Sequence, residues 1–187
     1  MKKKWIIIGA VVIVLLLMYS SIKGTFNSMV AGDELIKNTW AQVENVLQRR
    51  FDLIPNLIAT VKGYAAHEEE VLTAVTEARA RVGGARTPSE LIESNNGLSG
   101  ALSRLLVVVE NYPNLKADQG FIRLQDELAG TENRIAVERR RYNNAVFSYN
   151  TMVRSFPNRL YATMFGFDTA TPFEATEGAE VVPKVEF

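Results

Sequence analysis

The sequence opens with three lysines followed by a long uncharged stretch. Lys2, Lys3 and Lys4 precede an 18-residue run, residues 5–22, that contains no charged side chain. At about 1.5 Å of rise per residue, a helix of this length reaches across a hydrocarbon layer about 30 Å thick. The sequence therefore predicts a transmembrane anchor with Trp5 at the membrane interface. Because lysines favour the cytoplasmic side, the N-terminus is predicted to be cytoplasmic and the rest of the chain extracytoplasmic.

A cleaved signal peptide has a similar basic start and apolar core, and it is the alternative interpretation. Its cleavage site would need small residues at two positions separated by one residue. The triplets Tyr19-Ser20-Ser21 and Ser21-Ile22-Lys23 each fail at one of these positions, so an uncleaved anchor is preferred. The sequence contains no cysteine, which excludes a lipid-modified cysteine, disulfides and thiolate chemistry.

The charge balance excludes an electrostatic footprint for nucleic acid. The sequence has 21 basic and 21 acidic residues, and leaving out the three N-terminal lysines gives 18 basic residues (21 − 3) against the same 21 acidic ones. Nucleic-acid-binding domains are typically basic. About 165 residues follow the anchor, which suits one domain with a real core.

Apolar residues after the anchor recur at alternating steps of three and four, the period of an amphipathic helix. The first such seam runs from Trp40 to Tyr64, and Arg50 occupies its one non-apolar position. Pro55 falls inside this helix, and a kink is expected rather than a stop because the pattern keeps its phase. The helix is expected to begin near Asp33, with a continuous run from the membrane segment as the alternative.

Two shorter helices are predicted next. The first ends at Gly83-Gly84. The second begins at Thr87, which can cap the helix together with Glu90, and the segment Asn95-Asn96-Gly97 is a weak point within it.

The last predicted helix, residues 117–155, is the longest and carries about five heptad repeats. Its seam contains Glu138 among apolar residues, and it includes Tyr142 and Tyr149, each followed by an asparagine. The two tyrosines are interpreted as core residues, and an aromatic ligand-binding ladder is the alternative. Trp40 is likewise assigned to the bundle core.

Helices with one apolar face each, joined by short loops, bury those faces against one another. The predicted fold is all-α, with an N-terminal transmembrane helix followed by an antiparallel up-and-down helical bundle. Four helices are expected, the last one longest, or three if residues 33–82 form one helix. The predicted organisation is a cytoplasmic basic end at residues 1–4, the anchor at 5–22, the bundle at 33–156, and a short helix with a loose acidic tail at 157–187.

Arg50 and Glu138 are charged residues at seam positions. A lone buried charge costs several kcal/mol, so a partner is expected. Loop lengths place residue 50 opposite residues 133–143 in an antiparallel pair of the first and last helices. We hypothesise that Arg50 and Glu138 form an ion pair that fixes the register. The alternative is that Arg50 extends its charged end to solvent.

No catalytic or cofactor-binding pattern is present in the sequence. His67 is the only histidine, and zinc hydrolases or di-iron bundles need at least two. His67 with Glu68, Glu69 and Glu70 is interpreted as an acidic helix start. There is no Gly-x-Ser-x-Gly turn and no glycine-rich phosphate loop. No catalytic, metal or cofactor residue is predicted, and no cofactor is expected.

Several segments of the sequence are distinctive: Arg49 to Leu57 (RRFDLIPNL), Val61 to Ala65 with His67-Glu68, Glu77-Ala78-Arg79, Glu110 to Ala117 (ENYPNLKA), Arg141-Tyr142-Asn143, Tyr149-Asn150 and Phe165-Gly166-Phe167. Together they resemble the corresponding segments of bacterial LemA family proteins. The resemblance implies a membrane-tethered bundle with a four-helix core and no established catalytic activity. It also implies a link to magnetosome membranes in some members, and proximity to membrane proteases and envelope functions. Ala31-Gly32-Asp33 departs from the more basic and leucine-rich helix start typical of the family.

The predicted function is a membrane-anchored, non-catalytic scaffold or interaction module of the cell envelope. Its expected partners are the lipid bilayer and other envelope or membrane proteins, including a membrane protease. Self-association into a homo-oligomer is also expected, since small residues Gly9 and Ala10 let membrane helices approach closely. The alternative is an envelope hydrolase, or a lipid- or cell-wall-binding protein, with a site that the sequence does not reveal.

Overall fold

The structure is a computed structural model that describes residues 2–65 and 67–173. All regular secondary structure in these residues is helical, which confirms the predicted all-α class. The chain forms two compact units, and the first and the fifth helix each contribute to both. Unit 1 holds the residues up to Trp40 and from Arg140 onward, and unit 2 holds Ala41–Arg139. The helices are α1 (Lys2–Tyr64), α2 (Glu69–Gly84), α3 (Pro88–Val109), α4 (Pro113–Lys116), α5 (Gln119–Arg154) and α6 (Asn158–Phe165).

The membrane segment and the first bundle helix are one continuous helix. The prediction of a start near Asp33 was therefore wrong, and the stated alternative of an unbroken run is what the structure contains. α5 has 36 residues, and α1 has 63 because it also includes the membrane segment. A glycine inside a helix costs only about 1 kcal/mol relative to alanine, so Gly24 and Gly32 do not interrupt α1.

Within α1, the segment that precedes the bundle exposes its apolar side chains on all sides. Every side chain from Trp5 to Ser21 is exposed, as are Lys3 and Lys4. Of the described helices, α1 alone has the length and apolar composition needed to cross a membrane. A helix that is apolar on all faces is stable only when it is buried in a protein core or in a membrane. The other described residues do not cover the segment, so its composition indicates a membrane environment.

α1 continues through Pro55 without a stop. Ile54 and Leu57, on either side of the proline, are both buried, while Pro55 itself is exposed. The apolar seam thus keeps its phase, and packing compensates for the hydrogen bond that proline cannot make. α1 ends at Tyr64 and α2 begins at Glu69, so residues 33–82 belong to two helices.

Unit 2 has a single apolar core to which α1 to α5 all contribute. The cap of α3 is formed as predicted, since Thr87 Oγ1 accepts a hydrogen bond from the Glu90 N–H at 3.2 Å. The Glu90 carboxylate accepts one from the Arg86 N–H at 2.8 Å. Completely buried members of the core are Ile54, Leu57, Val61, Val75, Leu98, Leu105, Leu115 and Phe121.

In unit 1, the second half of α5 packs along α1. Gly32 permits this close approach, because a Cβ atom at that position would lie 2.9 Å from Cδ2 of Tyr149. After α5, the chain forms α6 and then turns at Gly166, whose φ of 75° suits glycine. The turn is closed by a hydrogen bond from the Phe167 N–H to the Ala162 carbonyl at 2.9 Å. It directs residues 168–173 back along α5.

The heptad seam of α5 is largely buried. Its members Phe121, Thr131, Ile135, Tyr142 and Tyr149 are all buried. Phe156, which continues the heptad spacing seven residues after Tyr149, is instead 86% exposed, because α5 has already ended at Arg154.

Candidate functional site

Arg50 lies inside unit 2 and is only 4% exposed. Its Nη1 atom donates to Asn95 Oδ1 at 3.2 Å and to Ser99 Oγ at 3.0 Å, and it forms an ion pair with the Glu132 carboxylate. Burial lowers the pKa of Arg50, and the charge of Glu132 offsets part of that effect. The Nε atom of Arg50 is buried and has no hydrogen-bond partner in the described residues.

Asp118 fixes the start of α5 against the end of α1. Its Oδ1 atom accepts the Phe121 N–H at 2.8 Å, as a helix-capping carboxylate does. Its Oδ2 atom accepts the Tyr64 hydroxyl at 3.1 Å. The Phe121 N–H, followed by the Tyr64 hydroxyl, lowers the pKa of Asp118.

This contact corrects the predicted partner of Arg50. In an antiparallel helix pair, each step forward on one helix is a step back on the other. With Tyr64 beside Asp118, residue 50 therefore faces residue 132, six positions before Glu138. The register between α1 and α5 that was estimated from loop lengths is therefore wrong. Arg50 does not extend to solvent, and Glu138 is half-buried elsewhere on α5.

The hydrogen bond between Arg50 and Asn95 also explains why α3 is continuous through the weak point predicted around Asn95. The Asn95 side chain is buried and accepts a hydrogen bond from Arg50. An asparagine held in this way cannot compete for the backbone of its own helix.

A cavity of about 340 Å³ opens beside Arg50. Its wall combines apolar leucines with a small number of polar groups, a composition typical of small-molecule sites. The polar lining comes from Arg50, Glu132, Ser99, Ser103 and Gln125, and the apolar lining includes Leu57, Leu102, Leu106 and Leu128.

His67 lies exposed in the turn between α1 and α2. Its neighbour Glu68 accepts a hydrogen bond from the Tyr112 hydroxyl at 2.7 Å, and this bond raises the pKa of Tyr112. Glu69 and Glu70 form the first turn of α2. Across residues 2–65 and 67–173, no three histidine, cysteine, aspartate or glutamate side chains are placed to hold a metal ion.

In unit 1, an aromatic cluster joins α1, α5 and the segment after α6. The ring of Tyr142 lies 5.7 Å from that of Trp40 and 4.7 Å from that of Phe173. The rings of Trp40 and Phe173 are 5.5 Å apart. Trp40 is half-buried in this cluster and is not part of the unit 2 core. Burial raises the pKa of Tyr142, whose hydroxyl donates to the Thr171 carbonyl at 3.1 Å.

Two asparagines on α5 hold the same segment by its backbone. Asn150 accepts the Ala170 N–H and donates to the Ala170 carbonyl, both at 2.8 Å. Asn143 accepts the Phe173 N–H at 2.8 Å and donates to the Phe173 carbonyl at 3.1 Å. Seven helical residues rise about 10.5 Å, and three extended residues span about 9.9 Å, so the two spacings match. We call this pair of asparagines the asparagine clamp.

The asparagine clamp corrects the prediction of a loose tail. Residues 168–173 are bound to α5, and the remainder of the predicted tail, 174–187, lies outside the described residues. The heptad spacing of Asn143 and Asn150 was visible in the sequence. Their role was missed because nothing in a single segment shows which distant backbone it will meet.

Beside the clamp, α5 forms one side of a groove of about 720 Å³. Phe147 lies in it and is 73% exposed, an unusual state for a large aromatic side chain on a helix. The groove combines apolar surface with amides and hydroxyls. It is lined by Asn143, Asn144, Val146, Phe147, Asn150, Thr151, Arg154, Ser155 and Pro172.

Comparisons with known proteins find relatives of modest similarity. The chain is 25% identical to Magnetosome protein MamQ 2 of Paramagnetospirillum magneticum, over 80% of this chain and 64% of that protein. It is 24% identical to Protein LemA of Metamycoplasma hominis, over 82% of this chain and 71% of that protein. It is 23% identical to Magnetosome protein MamQ of Magnetospirillum gryphiswaldense, over 76% and 62%. The chain thus spans less than two thirds of the length of these magnetosome proteins.

The family match covers most of the chain. Residues 39–187 match the LemA family, and this range contains the RRFDLIPNL and ENYPNLKA segments. It includes the end of α1 and all of α2 to α6. Residues 2–65 and 67–173 contain one helix with the length and composition to cross a membrane, and the family match shows that the chain belongs to the LemA family.

Proposed function

We propose that this protein is a membrane-anchored, non-catalytic interaction module of the cell envelope. The anchor is residues 5–22, with Lys3 and Lys4 on the cytoplasmic side and the helical units on the other. The partners are envelope or membrane proteins, a membrane protease among them, and a second copy of this chain. Family membership and relatives named as magnetosome proteins support a role at a membrane.

The observation that carries this proposal is the groove around Phe147. It belongs to unit 1, which also contains the anchor, so the groove is tethered to the membrane by the helix on which its own unit is built. An exposed aromatic side chain among amides and hydroxyls is the composition that protein interfaces favour. Phe147 is the side chain that would enter a partner's pocket, with Asn144 and Thr151 at the rim.

Photo-crosslinking in native membranes tests this role. A benzophenone amino acid in place of Thr151 should form an adduct with a protein partner, and the additional change Phe147→Asp should abolish the adduct. The physical reason is that a carboxylate cannot be buried in an apolar pocket without a partner charge. The adducts are measured by gel shift and identified by mass spectrometry.

The matched control places the same photo-reactive residue at Val107, a 71% exposed apolar position on α3 in unit 2. Any adduct formed there should be unaffected by Phe147→Asp. If the adduct at position 151 persists in the Phe147→Asp chain, the groove is not the interaction surface.

The cavity beside Arg50 favours a second function, the binding of a small lipid- or cell-wall-derived molecule. The polar side chains of the lining, Arg50, Ser99 and Glu132 among them, offer hydrogen-bonding groups, and the leucines offer an apolar wall. The ligand class is an amphiphile whose polar end accepts a hydrogen bond.

Filling the cavity tests this second function. Leu128→Trp should remove any lipid adduct seen by native mass spectrometry of the detergent-extracted protein, because the indole occupies the cavity. Val107→Trp is the control, since Val107 lies outside the cavity wall. Equal adduct populations in the two variants would show that the cavity holds no such ligand.

A further inference from the structure

The segment that contains α6 exposes large apolar side chains to its surroundings. Leu160 and Met164, one helical turn apart on α6, are each 63% exposed, and Phe156 in the preceding turn is 86% exposed. Residues i and i+4 of a helix lie on the same face. We call these three residues the α6 patch. A soluble surface seldom groups side chains of this kind without a function.

The opposite side of α6 packs against α1 and fixes the position of the helix. The ring of Phe165 lies 5.1 Å from the ring of Phe26 in an edge-to-face contact, and the ring of Phe167 lies 5.5 Å from it. Ala162 is buried, in contrast to its neighbours Met164 and Leu160. α6 is therefore held with one face on the protein and the α6 patch exposed.

Phe26 lies next to the end of the predicted membrane segment. It follows Ile22, the last residue of the uncharged run, by four positions, which is about 6 Å along a helix. The polar headgroup region begins where the hydrocarbon core ends. An α1 that crosses the bilayer therefore brings α6 to the level of the lipid headgroups.

The charges around α6 suit this environment. Residues 155–165 contain Arg159 and no acidic side chain. Arg154 lies four residues before the start of α6, and Lys23 lies three residues before Phe26 on α1. All three basic side chains are exposed. Helices that lie in the membrane interface combine an apolar face with lysine or arginine, which contacts lipid phosphates.

We infer that α6 is a second membrane contact: the α6 patch inserts into the lipid interface beside the anchor. The apolar side chains enter about 5–10 Å into the boundary between headgroups and acyl chains, and Arg159 stays with the phosphates. Two attachment points restrict the tilt and rotation of unit 1 on the membrane. This inference depends on the anchoring of α1 that is proposed above.

Spin-label depth measurements test the inference on the full chain. Because the sequence has no cysteine, single variants L160C and M164C can each carry one nitroxide label. The chains are reconstituted into vesicles of phosphatidylcholine with phosphatidylglycerol. We expect several-fold lower accessibility to a water-soluble nickel complex, and higher accessibility to oxygen, at both positions than at a labelled F147C.

F147C is a matched control because Phe147 is an exposed aromatic residue of the same unit. It lies two residues from Tyr149, which packs on Gly32. Gly32 is ten residues beyond Ile22, or about 15 Å along α1. With no other protein in the vesicles and a lipid excess that keeps the chains apart, the label at Phe147 should therefore report water.

A label at I13C, within the anchor, separates the two proposals. If I13C is in lipid while L160C and M164C resemble F147C, α1 spans the membrane and the α6 inference is wrong. If I13C is itself in water, the anchoring has failed. Dipolar broadening between L160C labels on different chains, with low access to both reagents, would show that a second copy covers the patch and would also overturn the inference.

Discussion

The double variant Asn143→Leu with Asn150→Leu is expected to release residues 168–173 from α5. Each asparagine makes two hydrogen bonds to this segment, which otherwise touches α5 through Phe173 and Thr171. Four hydrogen bonds at a net contribution of about 1 kcal/mol each give about 4 kcal/mol of local stability. Leucine keeps the approximate size of asparagine, so the loss is that of the polar contacts.

Hydrogen exchange of the Ala170 and Phe173 amides measures this effect directly. Both amide hydrogens are donated to the asparagine clamp, and their exchange should accelerate by about 10²-fold or more, since each 1.4 kcal/mol corresponds to a factor of ten. The control is Asn144→Leu, on the same turn of α5, where exchange of these two amides should not change. Unaltered exchange in the double variant would mean that the aromatic cluster alone holds the segment.

Glu132→Ala is expected to lower the free energy of unfolding by about 2–3 kcal/mol. The change removes the charged partner of Arg50 and leaves a guanidinium that is nearly inaccessible to water. A fully buried pair would cause a larger loss, but the Glu132 side chain is 52% exposed and water can replace part of the interaction. Chemical denaturation of the detergent-solubilised chain, followed by circular dichroism, measures the loss.

A neighbouring ion pair supplies the control for Glu132. Arg49 and Glu127 lie on the same two helices, with Nη2 and Oε2 3.5 Å apart, and both side chains are about half exposed. Exposed pairs contribute about 0–1 kcal/mol, so Glu127→Ala should have little effect. Equal losses of unfolding free energy for Glu132→Ala and Glu127→Ala would show that the burial of Arg50 does not strengthen its ion pair with Glu132.

The helical class and the bundle could be predicted from the sequence because each depends on local periodicity. From Val43 to Val61, the residues at the positions that the three-and-four alternation predicts are buried. Arg50, which occupies one of these positions, is buried as well. The cap at Thr87 likewise depends only on four consecutive residues. Such features need no knowledge of what the helix will pack against.

The ion-pair partner and the bound end of the chain could not be predicted in this way. Loop lengths leave a window of α5 positions opposite Arg50, and the choice of Glu132 as its partner depends on the register set at Tyr64 and Asp118. Residues 168–173 have the composition of a loose tail, and they are ordered by Asn143 and Asn150, 20 to 30 residues earlier in the chain.

By itself, the sequence determined two features: an uncharged segment long enough to cross a bilayer, and a series of amphipathic helices. Both depend on the hydrophobicity of residues that are close together in the sequence. Only the tertiary structure decided that the anchor and the first bundle helix are one, that Arg50 pairs with Glu132, and that α5 clamps residues 168–173. These features depend on which distant residues come within about 3 Å of each other, the range over which hydrogen bonds act. That proximity is a property of the packed chain and not of any one segment.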